Sequence, residues 1–536
     1  MPAAGQEKSE LFKGSCIRKT YFGSVYIYVL WQALVLQIDM PKFALLDILG
    51  FRRDGVAPGT VASWLQSLHR GVIPRRGWFA TLQRYASRHR NYWKKQNIPQ
   101  EDFSLIIGPT TRIFFQPFHT IDTERYQKFG RVFGIYEGGK PTLLVGEPEL
   151  VKQVLVKDFP LLCNRRQLQF FDPILDNMMS IAPVERWRKI RPSASPAFTT
   201  GKLRRMNELI QACAEITTEH LKNAAQQKKD IDVKQFYGHY ALDVIARCAF
   251  GTKLDSHTDA TNEFVTKARK AFSGGVTLPL LMLFLFPGLM KALKVKAFNA
   301  EIFQYFKEVS VNIIQKRKEK HCRQEDFLQL MMDAQEGALQ EAPESTTGKE
   351  SSEIFNLDSE IKNDINFVSK ALSEDEALAQ CVLFFLAGHD TTSSVLSYAV
   401  YLLALNPEVQ AKLRKEVDEC IATHGKEPSL DAVSKLPYLH CVVSETLRMY
   451  PPVPRFSEEN VGSIRPYSYL PFGAGPRNCI GMRFALQAVK LSLLHSIQSV
   501  QFVPTDKTEV PLKFLTGMGL LIAKDITVGI RERPER

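Results

Sequence analysis

A single cysteine lies in a loop whose composition suits a metal ligand. The stretch FGAGPRNCIG, residues 472–481, combines two spaced glycines, a proline and Cys479, just before a helix predicted to begin near Met482. Glycine allows backbone angles that other residues avoid and proline fixes one, so the loop is predicted to be stiff. A helix N-terminus favours a thiolate, which can bind a metal ion, and Arg477 adds a positive charge suited to a carboxylate. The alternative is a buried free cysteine in a turn.

An acid and an alcohol stand next to each other inside an apolar helix. Asp390 and Thr391 belong to AGHDTT, residues 387–392, within a helix predicted from a capping box at Ser373 to about Leu405. Burying a carboxylate costs free energy unless it has partners, so the pair is a candidate for proton transfer. The alternative is a satisfied polar pair at a kink.

Two other pairs have helical spacing. Glu445 and Arg448 stand three residues apart, and Trp187 and Arg191 stand four apart, so each pair shares one face of a helix. Taken alone, the first is typical of a surface salt bridge and the second of an amphipathic helix with a cation beside an aromatic ring.

Helical periodicity dominates the chain from about residue 141. It is clear in residues 149–159, 204–226 and 300–320, and a last large helix is predicted after the cysteine. Residues 340–370 are polar and predict a long exposed or disordered loop. These patterns predict a mainly α fold.

Bulk composition limits the kinds of binding partner and the cellular compartment that are expected for this protein. The chain has 536 residues and a formal net charge of +12, with the basic residues spread along its length. This balance favours an anionic membrane surface or an acidic protein over nucleic acid. Nine scattered cysteines without a C-x-x-C pair argue against zinc and disulfide frameworks, so a reducing compartment is expected.

Three stretches are candidates for membrane contact. Residues 21–38 hold 18 residues without a charge, close to the lower limit for a membrane-spanning helix. A buried helix is the alternative. Residues 84–95 are basic with interleaved aromatics, which suits a membrane surface. Residues 278–290 are apolar but too short to span, so they predict either a buried turn or a loop at the bilayer interface.

The cysteine loop resembles the haem-binding loop of the cytochrome P450 family. The resemblance rests on Phe472, Gly475, Arg477, Cys479 and Gly481, whose spacing matches the family pattern. It implies that these residues bind haem b, iron protoporphyrin IX, with Cys479 as the axial thiolate on the iron.

The long apolar helix is also similar to the family's central helix. The resemblance implies that Gly388 borders bound dioxygen and that Asp390 and Thr391 form the proton-delivery pair.

The two remaining pairs resemble further family motifs, in the family's order. The resemblance implies that Trp187, Arg191 and Arg477 hold the haem propionates. It implies that Glu445 and Arg448 form a structural pair under the haem.

HRNYWKKQNIP, DFLQLM and PFGAGPRNCIGMRFAL look most like the clan of the vertebrate drug-metabolising enzymes and thromboxane synthase. That resemblance implies a mainly α cytochrome P450 fold with a small β region over residues 84–536. It also implies anchorage in the endoplasmic reticulum membrane with a cytosolic catalytic domain. The implied partners are NADPH–cytochrome P450 reductase, with cytochrome b5 as a further candidate, and an apolar small-molecule substrate.

The chain departs from the family pattern in two places. Residues 1–83 are atypical for the clan's N-terminus, and residues 21–38 are the candidate substitute anchor. Only 23 residues separate Arg448 from Phe472, where the family has sheet strands and a haem-side meander. The junction at Arg455–Phe456 therefore predicts an internal deletion that removes part of the β region.

Three functions follow from these observations. The first is a membrane-bound haem-thiolate monooxygenase that inserts one oxygen atom from O2 into an apolar substrate. The second is a catalytically impaired splice form or pseudoenzyme, because of the junction at residues 455 and 456. The third is a haem-thiolate isomerase of the thromboxane-synthase kind, which is disfavoured because such enzymes tend to lose the acid–alcohol pair that Asp390 and Thr391 provide.

Overall fold

The structure is a computed structural model, and the residues that it describes form the later part of the chain with gaps. They are 91–101, 112, 116–137, 140–166, 169–259, 261–272, 300–321, 323–324, 326–336, 371–452, 466–516 and 520–533, together with 24–25, 51–52, 55–56, 279, 283 and 290. Most of the predicted segments 21–38 and 278–290 lies outside the described residues, as do the whole of 340–370 and the junction at 455 and 456.

The described chain is mainly α-helical, as its periodicity predicts. Its helices are α1 (Tyr92–Lys95), α2 (Phe118–Phe129), α3 (Pro148–Lys152), α4 (Phe159–Leu162), α5 (Val184–Ala194), α6 (Thr200–Gln226), α7 (Val233–Phe250), α8 (Glu263–Phe272), α9 (Ala300–Glu319), α10 (Phe327–Gln335), α11 (Glu374–Leu405), α12 (Pro407–His424), α13 (Leu430–Ser434), α14 (Pro437–Met449) and α15 (Met482–Ser499).

Strands are few and short in the same residues. They are β1 (Ser24–Val25), β2 (Phe51–Arg52), β3 (Gly55–Val56), β4 (Val132–Glu137), β5 (Lys140–Val145), β6 (Asp230–Asp232), β7 (Val500–Val503) and β8 (Thr527–Glu532). They form sheets of order β1-β5-β4, β2-β3 and β6-β8-β7. β4 and β5 are an antiparallel pair, in register from Val132 opposite Val145 to Glu137 opposite Lys140. The small β region thus flanks a helical body.

α11 begins and ends where its sequence predicts. The Ser373 hydroxyl accepts from the Glu376 backbone N–H over 3.2 Å, and the Glu376 carboxylate accepts from the Ser373 N–H over 2.9 Å. This reciprocal capping box satisfies backbone donors that the first turn leaves unpaired. Asn406 and Pro407 end the helix after Leu405. The result is a 32-residue helix that crosses the middle of the protein.

Two apolar clusters share this helix. Its first half packs with α5, α7, α9 and α10, and its second half packs with α6, α7, α14 and α15. Residues 387–394, which include the predicted acid–alcohol pair, lie between the two halves. The polar part of α11 therefore falls at the boundary between the clusters, where a polar group disturbs neither.

No described helix combines the length and the apolar character that crossing a bilayer requires. Within the candidate anchor at residues 21–38, only Ser24 and Val25 are described, and they pair in parallel with Thr142 and Leu143 of β5. Whether the remainder of that segment meets a membrane stays a prediction.

Candidate active site

The cysteine loop (residues 472–481) is closed by its own backbone. The N–H of Cys479 donates to the carbonyl of Phe472 over 2.8 Å, and α15 begins directly after the loop. Gly475 has a φ of +71°. A Cβ there would lie 2.1 Å from the carbonyl oxygen of Leu155, so a larger residue fits neither the backbone angle nor the space. The predicted stiffness of the loop thus has a structural cause.

A cavity of about 150 Å³ lies against the cysteine loop and α11. Most of the predicted site residues line it: Trp187, Arg191, Gly388, Thr391, Arg477, Cys479 and Gly481. The remaining wall is mainly apolar and includes Ile245, Phe198, Phe384 and Phe484. The predicted residues outside the lining are Asp390, Glu445, Arg448, Phe472 and Gly475. Side chains almost 300 residues apart in sequence therefore meet around one thiol.

Two arginines from distant parts of the sequence reach the cavity. Arg191 of α5 donates to the Asn478 carbonyl over 2.9 Å and to its side-chain oxygen over 2.8 Å. Arg477 stacks on the Trp187 ring at 4.8 Å and donates to the Ala182 carbonyl over 3.2 Å. The helical spacing of Trp187 and Arg191 thus places both beside the cysteine loop, as predicted.

The charge of these arginines is incompletely compensated. Burial lowers the pKa of Arg191 to about 10, an effect that Cys479 partly offsets. Burial also lowers the pKa of Arg477 to about 10, and its Nε and Nη1 atoms have no hydrogen-bond acceptor. A buried guanidinium with unused donors is suited to bind carboxylate groups.

A third arginine, Arg165, lines the same cavity and was missed by the sequence analysis. Its guanidinium donates to the Ser180 carbonyl over 2.8 Å and to the Arg477 carbonyl over 3.2 Å. Arg165 lies in an irregular segment, where no periodicity marks it. Its neighbour Arg166 is an equally plausible candidate in the sequence, so only tertiary structure distinguishes the two.

The donor set fits a haem. An apolar slot suits a porphyrin, one cysteine suits a single axial bond to iron, and three arginines suit two propionates. Within the described residues, no group of three or more His, Cys, Asp or Glu side chains could hold a metal ion by itself. The described cysteines, which include Cys479, form no disulfide.

Comparison with known proteins agrees with this geometry. The family model described as cytochrome P450 matches residues 103–455 and, as a second segment, residues 454–529. The chain belongs to the cytochrome P450 family. Membership supports a haem monooxygenase with a haem-thiolate cofactor, a redox partner and a small-molecule substrate.

Curated relatives extend the likeness over most of the chain. Cytochrome P450 3A41 of Mus musculus is 34% identical over 496 residues, covering 82% of this chain and 92% of that protein. Cytochrome P450 3A7 of Homo sapiens is 33% identical over 508 residues, covering 85% and 95%. Cytochrome P450 3A2 of Rattus norvegicus is 33% identical over 486 residues, covering 81% and 90%. The resemblance predicted from four motifs is confirmed.

In this P450 the predicted acid and alcohol face different ways. Thr391 lines the cavity, and its hydroxyl donates to the Ala387 carbonyl over 2.7 Å. Asp390 is 3% exposed and pairs instead with Lys234 of α7, whose Nζ lies 2.9 Å from its Oδ1. Gly388 lines the cavity, and a Cβ there would lie 2.9 Å from the Ile245 side chain of α7. Lys234, which sequence reasoning missed, carries no periodic or motif signal.

Glu445 and Arg448 pair with each other, away from the cavity. The guanidinium donates to both carboxylate oxygens over 2.7 Å. This contact holds the pKa of Glu445 below its usual value, although partial burial opposes the shift. The Glu445 side chain is 45% exposed and that of Arg448 is 24% exposed. The pair thus forms as predicted, while its role under a haem remains a prediction.

Proposed function

We propose that this P450 is a membrane-bound monooxygenase of the endoplasmic reticulum, with a cytosolic catalytic domain and electrons supplied by NADPH through a reductase. The observation that carries the proposal is the cavity itself, in which Cys479, Thr391 and three arginines meet. When haem is bound, its iron activates dioxygen for insertion into an apolar substrate. The cytochrome b5 contact and the membrane anchor at residues 21–38 belong to the same proposal.

The protein side chains divide the remaining work. Arg165, Arg191 and Arg477 would hold the two propionates, because all three guanidinium-bearing residues line the cavity. Cys479 would hold the iron. The Thr391 side chain lines the cavity, while its hydroxyl donates to the Ala387 carbonyl. The apolar wall excludes water and favours a substrate without charge.

The test of this function is the reduced, carbon-monoxide difference spectrum of the expressed full chain supplied with haem. Thiolate ligation by Cys479 gives the long-wavelength Soret band, and Cys479→Ser abolishes it. Cys441→Ser is the matched control, because Cys441 is an exposed cysteine on α14 outside the cavity lining. A band that survives Cys479→Ser overturns the assignment of the ligand.

A second candidate, a catalytically impaired form, is favoured by the junction at Arg455–Phe456. The family model meets the chain in two segments that abut at residues 454 and 455, which supports a discontinuity there. The alignment with the mouse relative spans 496 positions but only 82% of this 536-residue chain, so it contains gaps on this side. We propose that missing strands leave backbone groups unpaired and weaken haem binding.

An insertion experiment distinguishes the two functions. The segment of a curated relative that falls in this gap is inserted between Arg455 and Phe456, and haem affinity is compared with that of the natural chain. A large gain in affinity identifies the natural chain as the impaired form. Equal affinity and normal spectra in both chains identify it as a complete enzyme.

A further inference from the structure

Two cysteines line the cavity in the part of the chain that the structure describes. Cys479 belongs to the cysteine loop, and Cys248 belongs to α7. Cys248 is 2% exposed, and it shares one face of α7 with Ile245 and Ala249, which also line the cavity. The proposed monooxygenase uses one sulfur as the ligand of its iron. A second thiol therefore faces the haem site without an assigned role.

The surroundings of the two sulfurs favour different protonation states. Cys479 lies beside Arg191 and at the N-terminal end of α15, where positive charge and backbone N–H groups favour a thiolate. Burial and the neighbouring Cys213 raise the pKa of Cys248 well above its usual value, and Arg247 only partly offsets this. Cys248 therefore keeps its proton. Since the thiolate is the form that binds metals, Cys248 does not compete with Cys479 for iron.

An independent observation indicates that the cavity takes an acidic ligand. The Arg477 side chain lines the cavity and is 7% exposed, and its Nε and Nη1 atoms have no hydrogen-bond acceptor. Buried polar groups are ordinarily satisfied, and a guanidinium pairs best with a carboxylate. Arg165 and Arg191 line the same cavity. The unused donors therefore match a ligand with carboxylates, which the two propionates of haem b supply.

The chemistry of the porphyrin then predicts what faces the apolar wall. In iron protoporphyrin IX the propionates are on two adjacent pyrrole rings, and the vinyl groups are on the other two rings. With the propionates at the arginines, we expect the vinyl groups in the apolar part of the cavity. Cys248 belongs to that part, because the groups that act electrostatically on it include Arg247 and Asp326 but none of the three cavity arginines.

We propose that Cys248 is a second attachment point for the haem and forms a thioether with one of its vinyl groups. The inference rests on the haem site of the proposed function. The S–H bond of Cys248 breaks, the sulfur bonds to one vinyl carbon and the hydrogen to the other, and the C=C double bond becomes a single bond. No electron is lost or gained overall, and no co-reactant is consumed. Haem of the c type is held by such bonds through a C-x-x-C-H motif, which this chain lacks.

A covalent bond would compensate for a weak haem site. The proposed loss of strands at Arg455–Phe456 weakens reversible haem binding. A thioether keeps the porphyrin in the cavity at a high effective concentration, even when the bond between iron and sulfur opens. The haem of this chain should therefore not pass to another haem-binding protein, such as apomyoglobin added in excess.

Denaturing extraction of the haem-loaded full chain tests the proposal. The chain is loaded with haem b, reduced with dithionite, unfolded in acid and extracted with butanone. We expect the haem to stay with the protein. Trypsin cleaves after Arg247 and Lys253, so the added mass of the haem should be on the peptide of residues 248–253. The peptide of residues 478–483, which carries Cys479, should be unmodified.

Two comparisons each remove one half of the bond. Cys248→Ala removes the thiol, and mesohaem, in which ethyl groups replace the vinyl groups, removes its acceptor but keeps the iron and the propionates. Both should release all of their haem on extraction, and the mesohaem sample needs no substitution. Cys213→Ala is the matched control, because Cys213 is 1% exposed on α6 but lies outside the cavity lining. This variant should retain haem as the natural chain does.

The carbon-monoxide difference spectrum of the same samples separates this inference from the proposed function. A long-wavelength Soret band with fully extractable haem b overturns the attachment and leaves the monooxygenase function standing. Haem retained on residues 248–253 without that band supports the attachment, while the monooxygenase function fails. Retention of mesohaem, or attachment to another peptide, also overturns the thioether at Cys248. A chain that binds no haem overturns both proposals.

Discussion

The cysteine loop and the last turn of α14 carry two motifs of comparable prominence, and the structure surrounds them very differently. The loop is enclosed: Cys479 lines a cavity, Gly475 lies against the Leu155 backbone, and Arg477 is only 7% exposed. At the end of α14, Glu445 and Arg448 contact each other on a half-exposed face.

The difference lies in where the partners come from. Gly475 and Arg477 meet residues more than 250 positions earlier in the chain, so their contacts exist only in the folded protein. Glu445 and Arg448 are three residues apart, and any exposed helix brings such a pair together. Substitutions in the loop should therefore act on folding and haem binding, and substitutions in the pair should act weakly.

The largest expected effect is that of Gly475→Ala. The new methyl group would meet the Leu155 carbonyl, and alanine is strained at a φ of +71°. We expect a loss of about 3 kcal/mol or more in the free energy of unfolding, measured with urea, and loss of the thiolate spectrum.

Gly130→Ala isolates the contribution of strain. Gly130 has a φ of +82°, but a Cβ there would have no atom within 4 Å. We expect a loss of about 1 to 2 kcal/mol, because this backbone conformation is essentially restricted to glycine. Equal losses in the two variants would mean that the close approach to Leu155 is absent in solution.

The second-largest effect is expected for Arg477→Met. This change should not destabilise the haem-free protein, but it should weaken haem binding. Removing a buried cation with unused donors should leave the haem-free protein unchanged or more stable. The same change should weaken haem binding about tenfold, because a carboxylate loses its partner. Haem titration and thermal unfolding check the two signs.

Arg448→Met is the matched control for this experiment. Its side chain is 24% exposed and pairs with Glu445 on the same helix, so haem affinity should stay within about twofold. Similar losses of haem affinity in both variants would place the end of α14 in the haem site.

The sequence predicted those parts of the site that depend on contacts between residues close together in the chain. The cysteine loop, the capping box of α11 and the shared face of Trp187 and Arg191 depend on residues within a few positions of one another. The mainly α fold followed in the same way from helical periodicity.

Tertiary contacts decided the rest. The side to which Asp390 turns depends on Lys234, which is 156 positions away in sequence. Arg165 reaches the site from an irregular segment, and sequence periodicity does not predict the course of such a segment. Charged residues at surfaces and at sites look alike in a sequence, because only burial and partners separate them.

An intermediate effect is expected from pH, through a histidine buried near the C-terminal end of α15. α15 carries His495 into the core, where burial lowers its pKa to about 4. An unfolded histidine has a pKa near 6.5 and takes up a proton first as the pH falls. The contribution of His495 to the free energy of unfolding is therefore fully present above pH 6.5, and it is lost as the pH falls from 6.5 to about 4. His495 alone should account for about 2 kcal/mol at pH 5.

Urea unfolding at pH 7.5 and pH 5 measures this loss in His495→Gln and in the natural chain. The variant should show a smaller difference between the two pH values. His424→Gln, at an exposed position on α12, is the control and should keep the natural difference. An unchanged difference in His495→Gln would show that α15 admits a charge at this position.

The smallest effect should come from Glu445→Gln. The Arg448 guanidinium lowers the pKa of Glu445, so the stabilisation that the pair gives is present above the unfolded pKa and is lost as the pH falls through the folded one. A half-exposed pair of this kind contributes no more than about 1 kcal/mol, and less at high salt. A double-mutant cycle with Arg448→Met, measured at low and high salt, gives the coupling. A coupling of several kcal/mol that is insensitive to salt would require other residues to enclose the pair. In that case, the cysteine loop and the end of α14 would differ in burial only in the haem-free chain. Binding of haem would then enclose both motifs in one buried site.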